Sequence, residues 1–179
     1  MDYIELSKEI PYALRHAPWE YELELDAEGW VPITQLLDAL QCSEKWSELR
    51  IEDIKSMVDL SEKKRHEIMD NKIRAFYGHS VPTRIIKAES LPPQILYHGT
   101  ANRFADVIMS EGLLPGSRQY VHLSQEIDTA ITVGKRRDKN PVILVINAGL
   151  AYNNGIKFYH GKDNIWLADK IPAQFIKIM

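Results

Sequence analysis

Cysteine is almost absent from this 179-residue chain, since Cys42 is the only one. A single cysteine excludes an intramolecular disulfide and a metal site built from several thiolates. Long apolar stretches are also missing: the longest uninterrupted run is Val142 to Ile146, whereas a membrane-spanning helix needs about 20 apolar residues. The amino terminus carries Asp2 and Glu5 instead of the basic start of a secretion signal. We therefore expect a cytoplasmic protein with no membrane partner.

Several common catalytic motifs are missing as well. The sequence has no glycine–lysine phosphate loop, no Gly-x-Gly-x-x-Gly fingerprint, no histidine pair with metal-ligand spacing and no serine nucleophile elbow. Kinases, Rossmann dehydrogenases, zinc hydrolases and α/β-hydrolases are therefore poor fits. No repeat is visible, which excludes solenoid folds.

Positive charge is not in excess, because 22 Lys and Arg stand against 25 Asp and Glu. Residues 1–90 hold 12 basic and 18 acidic side chains, a balance of −6, and residues 91–179 hold 10 and 7, a balance of +3. A broad basic surface for nucleic acid is excluded, so such a function needs local clusters of cations. The acidic side chains expected on surfaces away from any bound phosphate include Glu20, Glu22, Glu24, Asp26 and Glu28.

The first half of the chain has the periodicity of short amphipathic helices. Leu6, Ile10 and Leu14 recur at steps of four, which predicts a first helix. Pro11 within this segment predicts a kink or the start of a new helix. Further along, Thr34 is a suitable cap for a second helix.

A β-hairpin is predicted to follow these helices. A third helix is expected from Ile51 to Val58, and two strands are expected over 65–68 and 72–76 around a turn. Helices followed by a hairpin are typical of a winged-helix module, and residues 1–90 are predicted to form one.

The second half, residues 91–179, predicts a different arrangement. Residues 81–94 contain three prolines and no period, which indicates a linker. Beyond it, short strands and two helices predict an α+β lobe. The strands are expected at 95–98, 120–123 and 142–146 and near residues 158, 166 and 175; the helices are expected over 104–109 and 126–136, the latter with Ala130, Ile131 and Val133 facing inward.

Two groups of basic residues in the first half could bind phosphate. Arg15 and His16 lie at the predicted end of the first helix, where an arginine can either bind the last helix carbonyls or hold a phosphate through bidentate bonds. The second group is five cations within twelve residues, which form either a solvated face or a phosphate-binding wing. This second group consists of Lys63, Lys64, Arg65, Lys72 and Arg74.

Two further groups lie in the second half. Residues 97–100 read Tyr-His-Gly-Thr at the end of a predicted strand, which is either an ordinary turn or a place where backbone and hydroxyl donors approach a ligand. Arg118 lies on a predicted loop. His122 alternates with apolar neighbours, so it is either a core histidine or a ligand-binding one.

Taken in order, these groups resemble the NAD-dependent RNA 2′-phosphotransferases from about Leu6 to the carboxyl terminus. The segments that carry the resemblance are 14–18 (Leu-Arg-His-Ala-Pro), 26–31 (Asp-Ala-Glu-Gly-Trp-Val), 63–65 (Lys-Lys-Arg), 73–75 (Ile-Arg-Ala), 78–80 (Gly-His-Ser), 96–100 (Leu-Tyr-His-Gly-Thr), Arg118 with 121–124 (Val-His-Leu-Ser), and 165–167 (Ile-Trp-Leu).

The resemblance implies a winged-helix RNA lobe joined to an ADP-ribosyltransferase-like NAD lobe. The implied reaction transfers an internal RNA 2′-phosphate, of the kind left at a tRNA splice junction, to NAD⁺. It releases nicotinamide and ADP-ribose 1″,2″-cyclic phosphate and needs no metal. The expected partners are therefore the phosphorylated RNA and NAD⁺, bound by a monomer.

The resemblance also implies roles for particular residues. The catalytic arginines are Arg15, Arg74 and Arg118. The NAD-binding residues are Tyr97, His98, Gly99, Thr100, His122 and Ser124. Among these, His98 is expected to form a hydrogen bond with the NAD ribose. The RNA phosphate-binding residues are His16, Lys64, Arg65, Lys72, His79 and Ser80.

The chain departs from the family pattern at a few positions. Pro11 interrupts the first helix, His66 stands where phenylalanine is usual, and Phe76 and Tyr77 replace a smaller polar pair. Two other functions remain open on the residues alone. One is ADP-ribosylation of terminal RNA or DNA phosphates or of protein, and the other is non-enzymatic nucleic-acid binding by a winged helix.

Overall fold

Two units, each with its own hydrophobic core, make up the computed structural model, which describes residues 2–179. The first unit extends to Ile86, and the second runs from Lys87 to Met179. The sequence placed the boundary slightly later, after Ser90, and the assignment of an RNA role to one lobe and an NAD role to the other stays a prediction.

The first unit contains three helices and a small antiparallel sheet with strand order β1-β3-β2. Alternation on β3 buries Ile73 and Ala75 and turns Lys72 and Arg74 to the other face. The elements are α1 (Tyr3–Arg15), β1 (Val31–Pro32), α2 (Ile33–Gln41), α3 (Ile51–Leu60), β2 (His66–Met69) and β3 (Lys72–Ala75).

Two predictions for these helices are wrong, one of them in part. Pro11 does not start a new helix, because it lies inside the continuous helix α1, and the buried side chains of Ile10 and Leu14 hold both sides of it against the core. The predicted kink at Pro11 stays a prediction. Thr34 is not a cap, because α2 begins at Ile33 directly after β1. The strand pairing fixes this start: the Ile33 N–H donates to the Asn71 carbonyl at 2.9 Å, so no side-chain cap is needed there.

The second unit is built on an antiparallel sheet of six strands in the order β7-β8-β5-β4-β6-β9. Together with the helices of both units, it confirms the predicted α+β class. The elements are β4 (Ile95–Thr100), α4 (Ala105–Glu111), β5 (Val121–Ser124), α5 (Ile127–Gly134), β6 (Val142–Asn147), α6 (Ala148–Asn153), β7 (Phe158–Lys162), β8 (Ile165–Ala168) and β9 (Ile176–Ile178).

The second unit differs from expectation in its helices. It has a third helix, α6, which begins after β6 because the Asn147 side chain accepts a hydrogen bond from the Leu150 N–H at 3.1 Å. On α5, Val133 is exposed rather than buried, and Gly134 takes the buried position. Helix α5 approaches β4 closely, so it contacts the sheet through Gly134, which has no side chain.

None of the helices within residues 2–179 is long and apolar enough to cross a membrane.

Candidate functional site

The end of α1 gathers several predicted phosphate-binding residues of the first unit. Arg15 is the last residue of the helix and is buried, with its guanidinium carbon 5.5 Å from the centre of the Tyr77 ring. Its Nη2 donates to the Arg65 carbonyl at 3.3 Å. The Ser80 N–H donates to the Arg15 carbonyl at 2.9 Å, and the Ser80 hydroxyl lies 2.8 Å from His16 Nδ1. Four predicted residues are therefore brought together here.

Two buried histidines lie close to this helix end. His66 on β2 is buried opposite Ala75, and its Nε2 has no hydrogen-bond partner among residues 2–179. Burial, followed by the positive charges of Arg15 and Arg65, lowers the pKa of His66 to about 3, so the ring is neutral at physiological pH. His79 is also buried. Its Nε2 lies 3.3 Å from the position of a Cβ at Gly29.

Arg74 lies on the face of the sheet opposite to the buried side chains of Ile73 and Ala75, and three residues contact its guanidinium. Glu67 lies directly opposite it on β2, and Arg74 Nε donates to Glu67 Oε1 at 2.5 Å. Its Nη1 donates to Glu28 Oε2 at 3.3 Å, and its guanidinium carbon lies 4.4 Å from the Trp30 ring centre. These contacts engage Nε and Nη1 and fix the plane of the guanidinium.

The loop before β1 supplies two of these contacts. The Asp26 carboxylate accepts from the N–H groups of Glu28 and Trp30 at 3.0 and 2.9 Å, which folds the loop back on itself. The same carboxylate lies 3.6 Å from the Lys72 ammonium. Asp26 and Glu28 therefore contact the predicted phosphate-binding cations. Their expected position away from these cations is wrong, because β1 pairs with β3 and brings the loop beside it.

Lys64 is engaged differently from the other cations. Its ammonium donates to the Asp59 carbonyl at 2.6 Å and lies 3.4 Å from the Val58 carbonyl, at the end of α3. The last carbonyls of a helix have no partners within the helix and carry partial negative charge, so a lysine is favourable there. In this structure Lys64 neutralises a helix end, and it is not grouped with Arg15 or Arg74.

His98 lies at the centre of the predicted nucleotide-binding group in the second unit. Its Nδ1 donates to the His122 carbonyl at 2.8 Å, because a carbonyl can only accept. Burial lowers the pKa of His98, with an opposing effect from this hydrogen bond and a further lowering by Arg137. The ring is therefore neutral, with the proton on Nδ1 and a free electron pair on Nε2.

The neighbouring strand contributes two more predicted residues around His98, namely His122 and Ser124. Strands β4 and β5 are paired at a single position, where Tyr97 lies opposite Ser124. The Ser124 hydroxyl donates to the Glu126 carbonyl at 2.9 Å, and His122 Nδ1 donates to the Tyr120 carbonyl at 3.0 Å. Away from this paired position, strands β4 and β5 are linked by the hydrogen bond from the His98 ring to the His122 carbonyl and not by backbone hydrogen bonds.

Gly99 and Thr100 complete β4, and Gly99 has a clear packing role. A Cβ at Gly99 would lie 1.9 Å from the Ala130 carbonyl oxygen and 3.0 Å from the Gly134 nitrogen, so no side chain fits. Glycine is needed here because α5 packs its backbone directly on the strand. Thr100 is buried at the end of the strand, opposite Val142.

Arg118 lies on the loop between α4 and β5 and is exposed, and its N–H donates to the Pro115 carbonyl at 3.3 Å. The structure therefore distributes the predicted residues over both units, some of them on helices and strands and others on loops. Within residues 2–179, no group of three His, Cys, Asp or Glu side chains is arranged to hold a metal ion.

Some residues of the site escaped the sequence reasoning. Glu67, Glu28, Trp30 and Tyr77 all contact one of the predicted catalytic arginines. Asp26 and Glu28 lie in a turn before β1, in which the Gly29 N–H donates to the Asp26 carbonyl at 2.9 Å, so strand alternation gave no signal for them. Glu67 could be found only from the register of the hairpin.

Comparison with known proteins gives a consistent result. Residues 2–170 match the family described as RNA 2′-phosphotransferase, Tpt1 / KptA family. A probable RNA 2′-phosphotransferase of Bacillus thuringiensis subsp. konkukian is 59% identical over 176 residues, which is 98% of this chain and 95% of that protein. One from Acetivibrio thermocellus is 58% identical over 99% of this chain and 97% of its own length. One from Pyrococcus horikoshii is 40% identical over 96% of each.

Proposed function

The chain belongs to the RNA 2′-phosphotransferase family, Tpt1 / KptA, and we propose that it transfers an internal RNA 2′-phosphate to NAD⁺. The observation that carries the proposal is the match over residues 2–170, which includes all three predicted catalytic arginines. The geometry of the two arginines in the first unit supports it.

The proposed reaction has two steps. An oxygen of the 2′-phosphate attacks the ribose carbon of NAD⁺ that bears nicotinamide, and nicotinamide leaves with the bonding electrons. The neighbouring hydroxyl of the same ribose then attacks phosphorus. The RNA 2′-oxygen leaves and takes up a proton, which yields an RNA 2′-hydroxyl and ADP-ribose 1″,2″-cyclic phosphate.

The arginines supply what this reaction needs. A phosphate is already an anionic nucleophile, so the first step requires orientation of the phosphate more than a strong base. Arg74 is suited to this, since Glu67 and Trp30 fix its plane before the phosphate arrives. Arg15 and Arg118 are proposed to bind the remaining oxygens and to stabilise charge as phosphorus is attacked.

Neighbouring polar groups are proposed to hold the phosphate with these arginines. His16 and Ser80 share one hydrogen bond at the end of α1, and Lys72 lies on the same face as Arg74. Arg65, His79 and Lys64 were predicted for the same role. For Lys64 that role requires its ammonium to leave the carbonyls at the end of α3.

His98 is proposed to bind NAD⁺ as a hydrogen-bond acceptor. Because its Nδ1–H donates to the His122 carbonyl, its Nε2 can accept a hydrogen bond from a ribose hydroxyl. Tyr97 and Thr100 lie on β4 with His98, and Ser124 lies on the neighbouring strand β5. Gly99 allows α5 to pack directly on β4. His122 is proposed to complete this pocket.

The two units are proposed to have the folds that the resemblance implies. The order α1, β1, α2, α3, β2, β3 supports a winged helix in the first unit. The divergence of β4 and β5 around His98 supports an ADP-ribosyltransferase-like nucleotide cleft in the second.

The direct test is nicotinamide release from NAD⁺ in the presence of an oligonucleotide with one internal 2′-phosphate. The matched control is the same oligonucleotide with a 2′-hydroxyl. We expect nicotinamide and unphosphorylated RNA in equal amounts with the first substrate and neither product with the second.

Two results would contradict the proposal. One is an intact 2′-phosphate at stoichiometric enzyme. The other is nicotinamide release that depends only on a terminal phosphate and leaves an ADP-ribosylated end, which would assign the chain to the alternative ADP-ribosyltransferase function.

A further inference from the structure

A basic segment of the second unit contains none of the predicted site residues, although its Arg137 lies near enough to lower the pKa of His98. Four cations follow α5 within five residues, and all four are exposed to solvent. We call residues 135–139 the basic loop; its cations are Lys135, Arg136, Arg137 and Lys139. This density of charge accounts for much of the positive balance of the second half of the chain.

The cations of the basic loop are not neutralised by the protein. None of the four forms an ion pair with a carboxylate among residues 2–179. The one acidic residue in the loop, Asp138, uses its two oxygens for the N–H groups of Asn102 and Asn140, each at 3.0 Å. Its carboxylate therefore orders the backbone instead of pairing with the neighbouring cations.

The loop is also preorganised and fixed to the nucleotide-binding strand. The Arg137 N–H donates to the Gly134 carbonyl at 3.0 Å, which continues the end of α5 into a tight turn. Gly134 in turn packs against Gly99 on β4. Asp138 ties the far side of the loop to Asn102, two residues beyond the end of β4. The charges are thus held beside the strand that carries His98.

We infer that the basic loop binds the sugar–phosphate backbone of the RNA substrate at phosphates that do not react. This inference rests on the proposed function. Exposed, unpaired lysine and arginine side chains on a fixed backbone release counterions when they meet a polyanion, and this release drives association. The first unit differs, since its predicted phosphate-binding cations Lys72 and Arg74 already have carboxylate partners and Lys64 donates to a carbonyl at the end of α3.

An RNA backbone fits the basic loop better than the pyrophosphate of NAD⁺ does. Four exposed cationic side chains within five residues offer several separate positive charges. A pyrophosphate is compact and is usually held by backbone N–H groups at a buried turn. A chain of phosphates spaced along a flexible strand can engage several of these cations together.

The test uses a pair of substitutions in the loop and a matched pair elsewhere in the same unit. Lys135→Gln with Lys139→Gln removes two loop charges, and Lys170→Gln with Lys177→Gln removes two exposed lysines outside it. Binding of a labelled long single-stranded RNA is measured by fluorescence anisotropy over a range of salt concentrations. Binding of a trinucleotide with the same internal 2′-phosphate is measured in parallel.

We expect the loop pair to weaken binding of the long RNA several-fold and to reduce the slope of log affinity against log salt by up to about 1.4, for two phosphate contacts on a single strand. Trinucleotide binding and the KM for NAD⁺ should stay at the wild-type values, and the control pair should match wild type throughout. An unchanged salt slope for the loop pair would overturn the inference. A raised KM for NAD⁺ with unchanged RNA binding would also overturn it.

The binding assay separates this inference from the proposed function because it needs no turnover. Long RNA that lacks a 2′-phosphate is included for this purpose. If the wild-type protein releases no nicotinamide but the loop pair still loses affinity for this RNA, the proposed function fails and the basic loop is supported.

Discussion

Two predicted residues in each unit, Arg74 and Lys72 in the first and His98 and Ser124 in the second, are held by different means. In the first, charge is positioned by charge: Arg74 lies between Glu67 and Glu28, and Lys72 contacts Asp26. In the second, His98 and Ser124 are positioned by hydrogen bonds to backbone carbonyls. The first arrangement suits a phosphate, which needs oriented cations, and the second suits a neutral ribose, which needs fixed donors and acceptors.

This difference also explains the distribution of charge along the chain. The acidic excess of the first unit includes carboxylates that contact the predicted phosphate-binding cations. A negative net charge of this unit is therefore compatible with strong binding of one phosphate. The second unit leaves the cations of the basic loop unpaired. Association with the rest of the RNA is accordingly expected to depend on the second unit.

The largest effect is expected from removing an oriented charge in the first unit. Arg74→Ala should lower the rate of 2′-phosphate removal by about 10²–10³, the usual cost of losing one positioned transition-state donor. Arg74→Lys should recover only part of the rate. An ammonium is not planar and has fewer N–H donors than a guanidinium, so it cannot donate to Glu67, stack on the Trp30 ring and bind a phosphate at the same time. Lys55→Ala, at an exposed lysine of α3, is the control in steady-state assays. A wild-type rate for Arg74→Ala would show that this arginine does not touch the reacting phosphate.

The backbone packing of the second unit should be nearly as sensitive. Gly99→Ala forces a Cβ to within 1.9 Å of the Ala130 carbonyl, so α5 must move. We expect a loss of roughly 3 kcal/mol or more in the stability of the second unit. Hydrogen exchange of the β4 and β6 amides measures it separately from the first unit. Thr132→Ala is the control, since Thr132 is an exposed residue of the same helix α5. Equal protection in both variants would contradict the close approach of α5.

The buried His66 makes the first unit sensitive to acid. Its pKa falls from 6.5 to about 3 on folding, so below pH 6.5 the unfolded chain binds a proton that the folded unit does not. Stability should therefore decrease as pH falls from about 6.5 toward 3, by up to about 1.4 kcal/mol per pH unit from this residue. Hydrogen exchange of α1 and β3 amides at several pH values measures the slope. His66→Phe should flatten it, and His160→Phe, at an exposed histidine, should not. An unchanged slope in His66→Phe would assign the acid sensitivity to other groups.

The smallest effect is expected from the exposed partner of Arg74. The Glu28 side chain is 63% exposed, and such pairs contribute about 0.2–1 kcal/mol. Glu28→Gln should therefore tighten binding of 2′-phosphorylated RNA by no more than about five-fold, because the phosphate no longer competes with a carboxylate. Glu24→Gln removes an acidic charge from the same segment and should leave the dissociation constant unchanged. Weaker RNA binding in Glu28→Gln would show that the positioning of Arg74 by Glu28 outweighs the competition between Glu28 and the phosphate.

Much of the α+β fold and the family could be predicted from the sequence, because both depend on local patterns. Periodicity located α1, α2 and α3, alternation located the hairpin strands, and the order of short motifs indicated the family, which the match over residues 2–170 confirms. The errors at Pro11 and Thr34 have one cause: packing and strand pairing fixed the helices more firmly than local propensity did.

The contacts around the arginines were less accessible to sequence reasoning. Trp30 and Glu67 reach Arg74 only because β1 and β2 pair with β3 in a particular register. The role of Gly99 in packing likewise depends on where α5 meets the sheet. Such contacts join residues far apart in the chain, and a single sequence does not reveal them.

The most direct measurement of the proposed transfer follows the phosphorus atom itself. An oligonucleotide with an isotopically labelled internal 2′-phosphate is incubated with the protein and NAD⁺, and the labelled product is identified by chromatography and mass spectrometry. The account predicts that the label moves to ADP-ribose 1″,2″-cyclic phosphate and that the RNA is left with a 2′-hydroxyl. Label in inorganic phosphate, or label retained on an ADP-ribosylated RNA as the final product, would contradict it.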